Sequence, residues 1–276
     1  MIIDSHQHFW RYEAKKHDWI DDEMAVIRRD FMPEDLQPVL AANGVNGCVA
    51  VQADQTRDET DFLLALAREN SFIKGVVGWI DLRAENLNEQ LDVYAGSTAL
   101  KGFRHVVQGE ADPQFMLRPE FVRGIRTIGE RGYTYDLLIL PHQLLAAVEL
   151  IRQFPEQRFV VDHLAKPYIK AGYLAGWKIG MQALAAFPNV WCKVSGMVTE
   201  ADYQNWTEDQ MKPYLDVVFD AWGTERVMFG SDWPVCRVAA TYDRVLGLVN
   251  DYLSGFSQPE QQAVLGGNCR SFYGLA

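Results

Sequence analysis

Short apolar runs alternate with amphipathic segments along the whole chain, and this alternation constrains the fold more than any other feature. Strands separated by helical segments of about a dozen residues predict β/α units and a parallel sheet. Eight such units in 276 residues predict an α/β fold, a (β/α)8 TIM barrel, as a single domain over residues 1–276. The eight predicted strands are Ile2 to His8, Gly47 to Gln52, Ile73 to Ile80, Leu100 to Val106, Tyr133 to Ile139, Arg158 to His163, Val190 to Ser195 and Arg226 to Ser231.

Helix signals between the strands support this prediction. Pro33-Glu34-Asp35 opens a helix that stops at Asn43-Gly44, as expected from the preference for proline at helix starts and glycine after helix ends. A doubly wound open sheet is the alternative, but the first strand is not followed by the G-x-G-x-x-G pattern of dinucleotide-binding folds. The other predicted helices are Asp58 to Asn70, Glu85 to Tyr94, Pro119 to Gly132, Pro141 to Phe154, Trp177 to Phe187, Asp209 to Trp222 and Tyr242 to Leu253.

The charge balance and the cysteines indicate the class of protein. Twenty-six Lys and Arg residues against 37 Asp and Glu residues give a net charge of −11, which disfavours nucleic acid and anionic membranes as partners. The four cysteines have no C-x-x-C spacing, so we interpret them as reduced thiols. No basic leader precedes an apolar run, and no run approaches the roughly 20 apolar residues of a membrane span. We therefore expect a cytoplasmic protein, with the outer helices of the barrel as candidates for a homodimer face.

Polar side chains are concentrated where the predicted strands end. His6 and His8 are spaced i, i+2 on the first strand and therefore face the same side. The eighth strand is followed by Asp232, and closure of a barrel makes the first and eighth strands neighbours. We therefore expect Asp232 to lie beside His6 and His8. The other polar residues at strand ends are Trp79 and Asp81, Arg104 and His105, Tyr135 and Asp136, Asp162 and His163, and Ser195.

The long irregular stretch from Phe9 to Phe31 follows the first strand and is rich in aromatic and charged residues. Loops that follow the strands of a barrel lie at its catalytic end. We therefore predict that this segment overhangs the mouth of the barrel.

Seven short motifs form a set that spans residues 2 to 274. They are Ile2-Ile3-Asp4-Ser5-His6-Gln7-His8-Phe9-Trp10, Lys101-Gly102-Phe103-Arg104, Val161-Asp162-His163-Leu164-Ala165-Lys166-Pro167, Lys193-Val194-Ser195-Gly196, Phe229-Gly230-Ser231-Asp232-Trp233-Pro234, Leu265-Gly266-Gly267-Asn268 and Phe272-Tyr273-Gly274. The set resembles the amidohydrolase superfamily, and within it the branch that includes sugar-lactone and pyrone-dicarboxylate lactonases.

The resemblance implies four active-site residues. Matching positions assign His6, His8, His163 and Asp232 to the conserved site, with Asp232 as the proton shuttle. The same four residues form a ligand set that suits one Zn²⁺ ion. Lactonases similar to this chain include members that need no metal, so the sequence leaves open whether a metal is bound.

The chain departs from the family's two-metal pattern on two strands. Binuclear members carry a bridging lysine on strand four and a histidine on strand five. Here strand four offers Arg104 and His105, with Lys101 near its start, and strand five offers Tyr135 and Asp136. A two-metal site is therefore not expected.

The resemblance implies a hydrolase of carbohydrate metabolism that opens a sugar (aldono-) lactone. Ester cleavage needs a base for the attacking water, stabilisation of the oxyanion and a proton for the leaving oxygen. Asp232 can serve the first and last needs in turn. A mononuclear metal-dependent decarboxylase of the same superfamily is the alternative, and a non-catalytic binding barrel is a third reading.

Six residues at or near strand ends are candidates for binding the substrate: Arg104, His105, Trp79, Trp10, Tyr135 and Trp233. Arg104 fits either an ion pair with an acid such as Asp136 or a bond to a substrate oxygen. The tryptophans fit either stacking on a sugar ring or packing at the barrel mouth. Asp162 is next to His163 and is therefore expected to point to the opposite face, in a structural role.

Overall fold

A computed structural model describes residues 1–276 and contains one eight-stranded sheet in which every strand pairs in parallel with the next. The strands are β1 (Ile3–Gln7), β2 (Gly47–Val51), β3 (Ile73–Gly78), β4 (Leu100–His105), β5 (Thr134–Leu137), β6 (Phe159–Val161), β7 (Val190–Val194) and β8 (Val227–Phe229). Two backbone hydrogen bonds just beyond β8 join it to β1. The N–H of Asp232 donates to the carbonyl of His6 over 2.8 Å, and the N–H of His8 donates to the carbonyl of Trp233 over 2.7 Å. The predicted (β/α)8 barrel is confirmed.

Helices follow the strands and surround the barrel. They are α1 (Pro33–Ala42), α2 (Arg57–Glu69), α3 (Leu87–Asp92), α4 (Pro119–Glu130), α5 (Leu144–Arg152), α6 (Ala175–Ala185), α7 (Glu208–Trp222), α8 (Tyr242–Leu253), α9 (Gln258–Gln262) and α10 (Asn268–Tyr273). No helix combines the length and the apolar composition that a membrane crossing requires. The predicted strands extend one or two residues beyond the observed ones at their C-terminal ends, because there the backbone leaves the sheet to form the loops of the site.

The core has two parts. The larger lies between the strands and the surrounding helices, as burial of one helix face against a sheet requires. The smaller contains inward-facing strand residues, among them Val49, Val77 and Val160, packed with Phe272 and Tyr273 of α10. The C-terminal helix thus closes the end of the barrel opposite the mouth.

The segment from Phe9 to Phe31 is held at both ends. Trp10 and Phe31 exchange two backbone hydrogen bonds of 3.0 and 2.9 Å. The side chains of Lys16, Asp18 and Trp19, near the middle of the segment, line the cavity at the barrel mouth. The prediction that this segment overhangs the mouth is confirmed.

Candidate active site

A cavity of about 510 Å³ opens at the C-terminal ends of the strands. Its floor includes His8, Arg104, His163 and Asp232. Its walls come from the loops that follow the strands and carry both polar and apolar side chains. The wall residues with polar side chains are Lys16, Asp18, Asp54, Gln55, Gln108, Lys166, Thr199, Glu200 and Tyr203. A pocket of this size and polarity suits a small polyhydroxylated ligand.

Asp232 stands at the centre of the predicted cluster. Its Oδ1 lies 3.3 Å from Nε2 of His8, 3.9 Å from Nε2 of His6 and 3.9 Å from Nε2 of His163. The Nε2 atoms of His6 and His8 are 3.2 Å apart. All four residues are buried. The expected meeting of the first and eighth strands therefore brings together all four residues assigned from the resemblance.

Backbone geometry directs Asp232 into the cluster. It is the third residue after β8 and has a left-handed φ of 56°, a conformation that is uncommon for residues other than glycine. A buried carboxylate, that of Asp4, holds the adjoining backbone by accepting hydrogen bonds from the N–H groups of Ser231 and His6. Burial raises the pKa of Asp4 to about 6. The ends of β1 and β8 are thus clamped together by one side chain.

A left-handed turn follows β6 and changes the expected orientation of Asp162. The φ values of His163, Leu164, Ala165 and Lys166 are 51°, 53°, 54° and 49°. Strand alternation therefore ends at Asp162, and both Asp162 and His163 reach the cluster, with Asp162 Oδ1 3.3 Å from His6 Nδ1. The expectation that Asp162 points to the opposite face was wrong, because alternation holds only while the backbone stays extended.

Gly196 makes room for this arrangement. Nδ1 of His163 lies 2.8 Å from Oγ of Ser195. The next residue, Gly196, has φ of 62°, and a Cβ at that position would lie 2.7 Å from Nδ1 of His163. Only glycine combines this backbone conformation with so close an approach.

A buried charge network lies beneath His6. The Lys193 ammonium is fully buried, 2.6 Å from Asp136 and 2.9 Å from Asp162. Asp136 also accepts a hydrogen bond of 2.6 Å from the Tyr273 hydroxyl of α10. The sequence analysis missed Lys193 as a site residue. The sequence does contain an indication of this role, because Lys193 lies at an inward-facing position within the apolar run Val190 to Ser195.

Arg104 pairs with Asp162 over 3.0 Å, not with Asp136, the acid suggested from the sequence. Its guanidinium also donates to the carbonyl of Gln52 and, over 3.2 Å, contacts Nε2 of His6. It remains part of the cavity floor. Arg104 is therefore both an ion-paired residue and a residue accessible to a ligand.

The hydrogen-bond partners determine which ring nitrogens carry protons. The carbonyl of Val51 can only accept, so we assign a proton to Nδ1 of His8, 2.8 Å away. The guanidinium of Arg104 can only donate to Nε2 of His6, whereas Nδ1 of His6 faces both the Lys193 ammonium, 3.1 Å away, and the Asp162 carboxylate, 3.3 Å away. The carboxylate can accept a proton from Nδ1, so we assign that proton to Nδ1 and an unprotonated Nε2 to His6. Nε2 of His6 and Oδ1 of Asp232 are then two acceptors that both face Nε2 of His8, so the three atoms require either a cation or a shared proton between them.

The distances within this set fit a metal ion. Ligand atoms around a tetrahedral zinc lie about 3.3 Å apart. The two pairs that include His8 Nε2 measure 3.2 and 3.3 Å, and the third pair, His6 Nε2 to Asp232 Oδ1, measures 3.9 Å. His6, His8 and Asp232 therefore form a candidate cation site. His6, Asp162 and His163 form a second close group, but Lys193 and Arg104 already neutralise Asp162 there.

Burial sets the protonation of the cluster. It lowers the pKa of His163 to about 4 and holds the pKa of His6 well below its ordinary value, so both rings are neutral at neutral pH. Burial alone would raise the pKa of Asp232, but the surrounding imidazoles keep it below its usual range. The centre of the site is thus the ionised carboxylate of Asp232, with the neutral rings of His6 and His163 beside it.

The other five predicted substrate-binding residues lie behind the cavity wall. His105 and Tyr135 alternate with inward-facing neighbours and point to the helices, where His105 contacts Glu110 over 2.7 Å and Tyr135 packs on Phe121. Trp79 donates to His105. Trp10 and Trp233 are buried and pack against Phe31. None of the five lines the cavity. Sequence reasoning missed the loop residues that do, since loops carry no periodicity.

The comparisons with known proteins agree with this geometry. A family model described as amidohydrolase matches residues 3–275. An L-fucono-1,5-lactonase from Burkholderia multivorans is 42% identical over 284 aligned residues, which cover 99% of this chain and 96% of that enzyme. A second L-fucono-1,5-lactonase, from Burkholderia ambifaria, is 36% identical, with coverage of 98% and 94%.

A solved structure extends the similarity to three dimensions. It is an amidohydrolase from Burkholderia multivorans with bound zinc, 41% identical, with a TM-score of 0.97 over 100% of both chains. The family model and these full-length relatives cover every strand of the barrel and all four residues of the cluster. The chain therefore belongs to the amidohydrolase family.

Proposed function

We propose that this protein hydrolyses L-fucono-1,5-lactone or a closely similar lactone of a six-carbon sugar. It is a sugar lactonase, since its full-length relatives carry that activity in their names. The observation that carries the proposed mechanism is the position of Asp232, an ionised carboxylate among three histidines on the floor of a polar cavity.

Asp232 is proposed to move the proton in both halves of the reaction. As a general base, it removes a proton from water while the water oxygen bonds to the lactone carbonyl carbon. The bond from that carbon to the ring oxygen then breaks, and Asp232 returns the proton to the departing oxygen. The product is an open-chain hydroxy acid, which ionises at neutral pH. One carboxylate thus serves both steps without net consumption of a proton.

The carbonyl oxygen gains negative charge during the attack and needs stabilisation. Arg104 is the permanent cation of the cavity floor and supplies hydrogen-bond donors there. A bound zinc ion, held by His6, His8 and Asp232 with His163 beside them, would supply Lewis-acid polarisation of the carbonyl. An ester with an alkoxide leaving group needs less activation than an amide, so we propose that one ion at most takes part.

The decarboxylase alternative is not favoured, because the relatives that match along the whole chain at high identity are lactonases. The cavity walls agree with this choice. They offer amide, hydroxyl, carboxylate and ammonium groups, which can hydrogen-bond to sugar hydroxyls.

A pH-indicator assay tests the proposal. Purified protein is mixed with L-fucono-1,5-lactone, L-galactono- and L-rhamnono-lactones, and the rate of acid release is corrected for the rate in buffer. Each measurement is repeated after chelation and after readdition of zinc, with metal content determined on the same sample. We expect acid release with L-fucono-1,5-lactone. Loss of activity on chelation, with recovery on readdition of zinc, would support a metal-bound site. Full activity after chelation would support a site in which a shared proton takes the place of the metal. No acid from any of these lactones would refute the proposed substrate class.

A further inference from the structure

The left-handed turn after β6 presents a second side chain to the cavity. Four consecutive residues with a Cβ hold positive φ values, from His163 to Lys166. Such backbone is unfavourable for L-residues and persists where the surrounding structure enforces it. The turn starts at His163 on the floor and ends at Lys166 on the wall. The turn therefore fixes the position of the Lys166 backbone relative to that of His163.

Lys166 meets an acid from the next loop. Its Nζ lies 3.1 Å from Oε1 of Glu200, and the two side chains are 22% and 20% exposed. Both line the cavity. The loop that carries Glu200 is attached to the region after the turn by a backbone bond of 3.0 Å from Lys170 N–H to the Glu200 carbonyl. The backbone of both residues of the pair is thus restrained, that of Lys166 by the turn and that of Glu200 by this hydrogen bond.

Much of the hydrogen-bonding capacity of this pair is unused. An ammonium has three donors and a carboxylate two acceptor oxygens. Apart from their mutual contact, neither side chain makes a hydrogen bond to another protein group. The pair has no net charge and faces the space that a neutral sugar lactone would occupy. A donor beside an acceptor is the arrangement that hydroxyl groups on adjacent ring carbons can satisfy together.

We propose that Lys166 and Glu200 form a specificity-determining pair that binds two neighbouring hydroxyls of the sugar lactone. Lys166 donates to one hydroxyl oxygen, and Glu200 accepts from the other hydroxyl. This inference rests on the proposed lactonase function and names the part of the substrate that the wall recognises. It predicts discrimination between lactones that carry ring hydroxyls and lactones that do not.

The test compares two six-membered lactones, L-fucono-1,5-lactone and unsubstituted δ-valerolactone. Lys166→Met and Glu200→Ala each remove one partner, and Lys170→Met is the matched control, because Lys170 pairs with Asp202 over 3.7 Å outside the cavity. We expect kcat/KM for the sugar lactone to fall about tenfold or more in each cavity variant, since a charged hydrogen bond is worth about that much. We expect a change below about threefold for δ-valerolactone and for the control.

The outcomes separate this inference from the proposed function. An equal loss on both lactones, or no loss on the sugar lactone, would overturn the specificity role. Where δ-valerolactone turnover is too slow to follow, its inhibition constant against the sugar lactone replaces kcat/KM and must stay unchanged. Wild-type protein that releases no acid from any sugar lactone would instead refute the proposed function. Glu200→Ala leaves the left-handed turn untouched, so it tests the pair even if Lys166→Met folds poorly.

Discussion

Nη1 of Arg104 lies 3.2 Å from Nε2 of His6, the same nitrogen that faces His8 and Asp232. The guanidinium and a metal ion would therefore use one lone pair, and they cannot both use it at once. Their positive charges would also repel, because both would lie against the same nitrogen. Arg104 is therefore expected to affect both the polarisation of the lactone carbonyl and the affinity of the site for a metal ion.

Removal of the Arg104 charge is expected to tighten zinc binding. In Arg104→Gln, Nε2 of His6 loses its competing donor, and the loss of one nearby unit charge is worth about 1 kcal/mol, or about fivefold in affinity. Chelator competition with metal analysis measures this change. Arg104→Lys keeps the charge and is the matched control, so we expect its affinity to stay closer to wild type. Equal zinc affinity in Arg104→Gln and wild type would show that Arg104 does not compete.

Lys193 is expected to contribute to the stability of the fold mainly by neutralising buried carboxylates. Lys193→Met leaves Asp136 buried beside Tyr273 without its cation, and breaking a buried pair costs about 3 to 5 kcal/mol. Lys193→Met/Asp136→Asn removes both charges, so its free energy of unfolding should exceed that of Lys193→Met alone. Urea unfolding of both single variants and the double variant gives the coupling. Additive losses would contradict the assignment of Lys193 to this pair.

The sequence predicted those parts of the site that depend on topology. His6 and His8 face one side because strands alternate, and Asp232 meets them because β8 neighbours β1. The sequence could not predict the orientation of Asp162, because the left-handed turn that begins at His163 contains no glycine that would indicate it. Lys166 and Glu200 were missed as cavity residues for a related reason: loop conformation, not periodicity, brings them to the wall.

Glu59 is expected to make stability depend on pH. Its carboxylate accepts a hydrogen bond from the N–H of Ala53 at the cavity wall, and burial raises its pKa to about 7. The native state therefore keeps this proton to higher pH than the unfolded state, so stability decreases as the pH rises from about 4.5 to 7. Glu59→Gln keeps the acceptor and removes the titration. Thermal unfolding should show it gaining about 3 kcal/mol over wild type at pH 8 and little at pH 4.5.

Exposed Glu156 supplies the control for this experiment. Glu156→Gln makes the same chemical change at the surface, where folding does not desolvate the carboxylate. It should therefore show no difference from wild type between the two pH values. A gain in stability for Glu59→Gln that is the same at both pH values would show that the effect does not arise from titration of Glu59.

Asp232→Asn is expected to remove catalysis and leave the fold intact. The amide has the size of the carboxylate but cannot accept the proton of the attacking water, so kcat should fall about a thousandfold, within the range for loss of a general base. Circular dichroism and thermal unfolding should stay close to wild type, because the backbone bond from Asp232 N–H to the His6 carbonyl does not involve the side chain. Asp18→Asn makes the same change in the segment over the mouth and should retain most of kcat. Near wild-type turnover by Asp232→Asn would assign the proton transfer to another group, with His163, 3.9 Å from Asp232, as the first to examine.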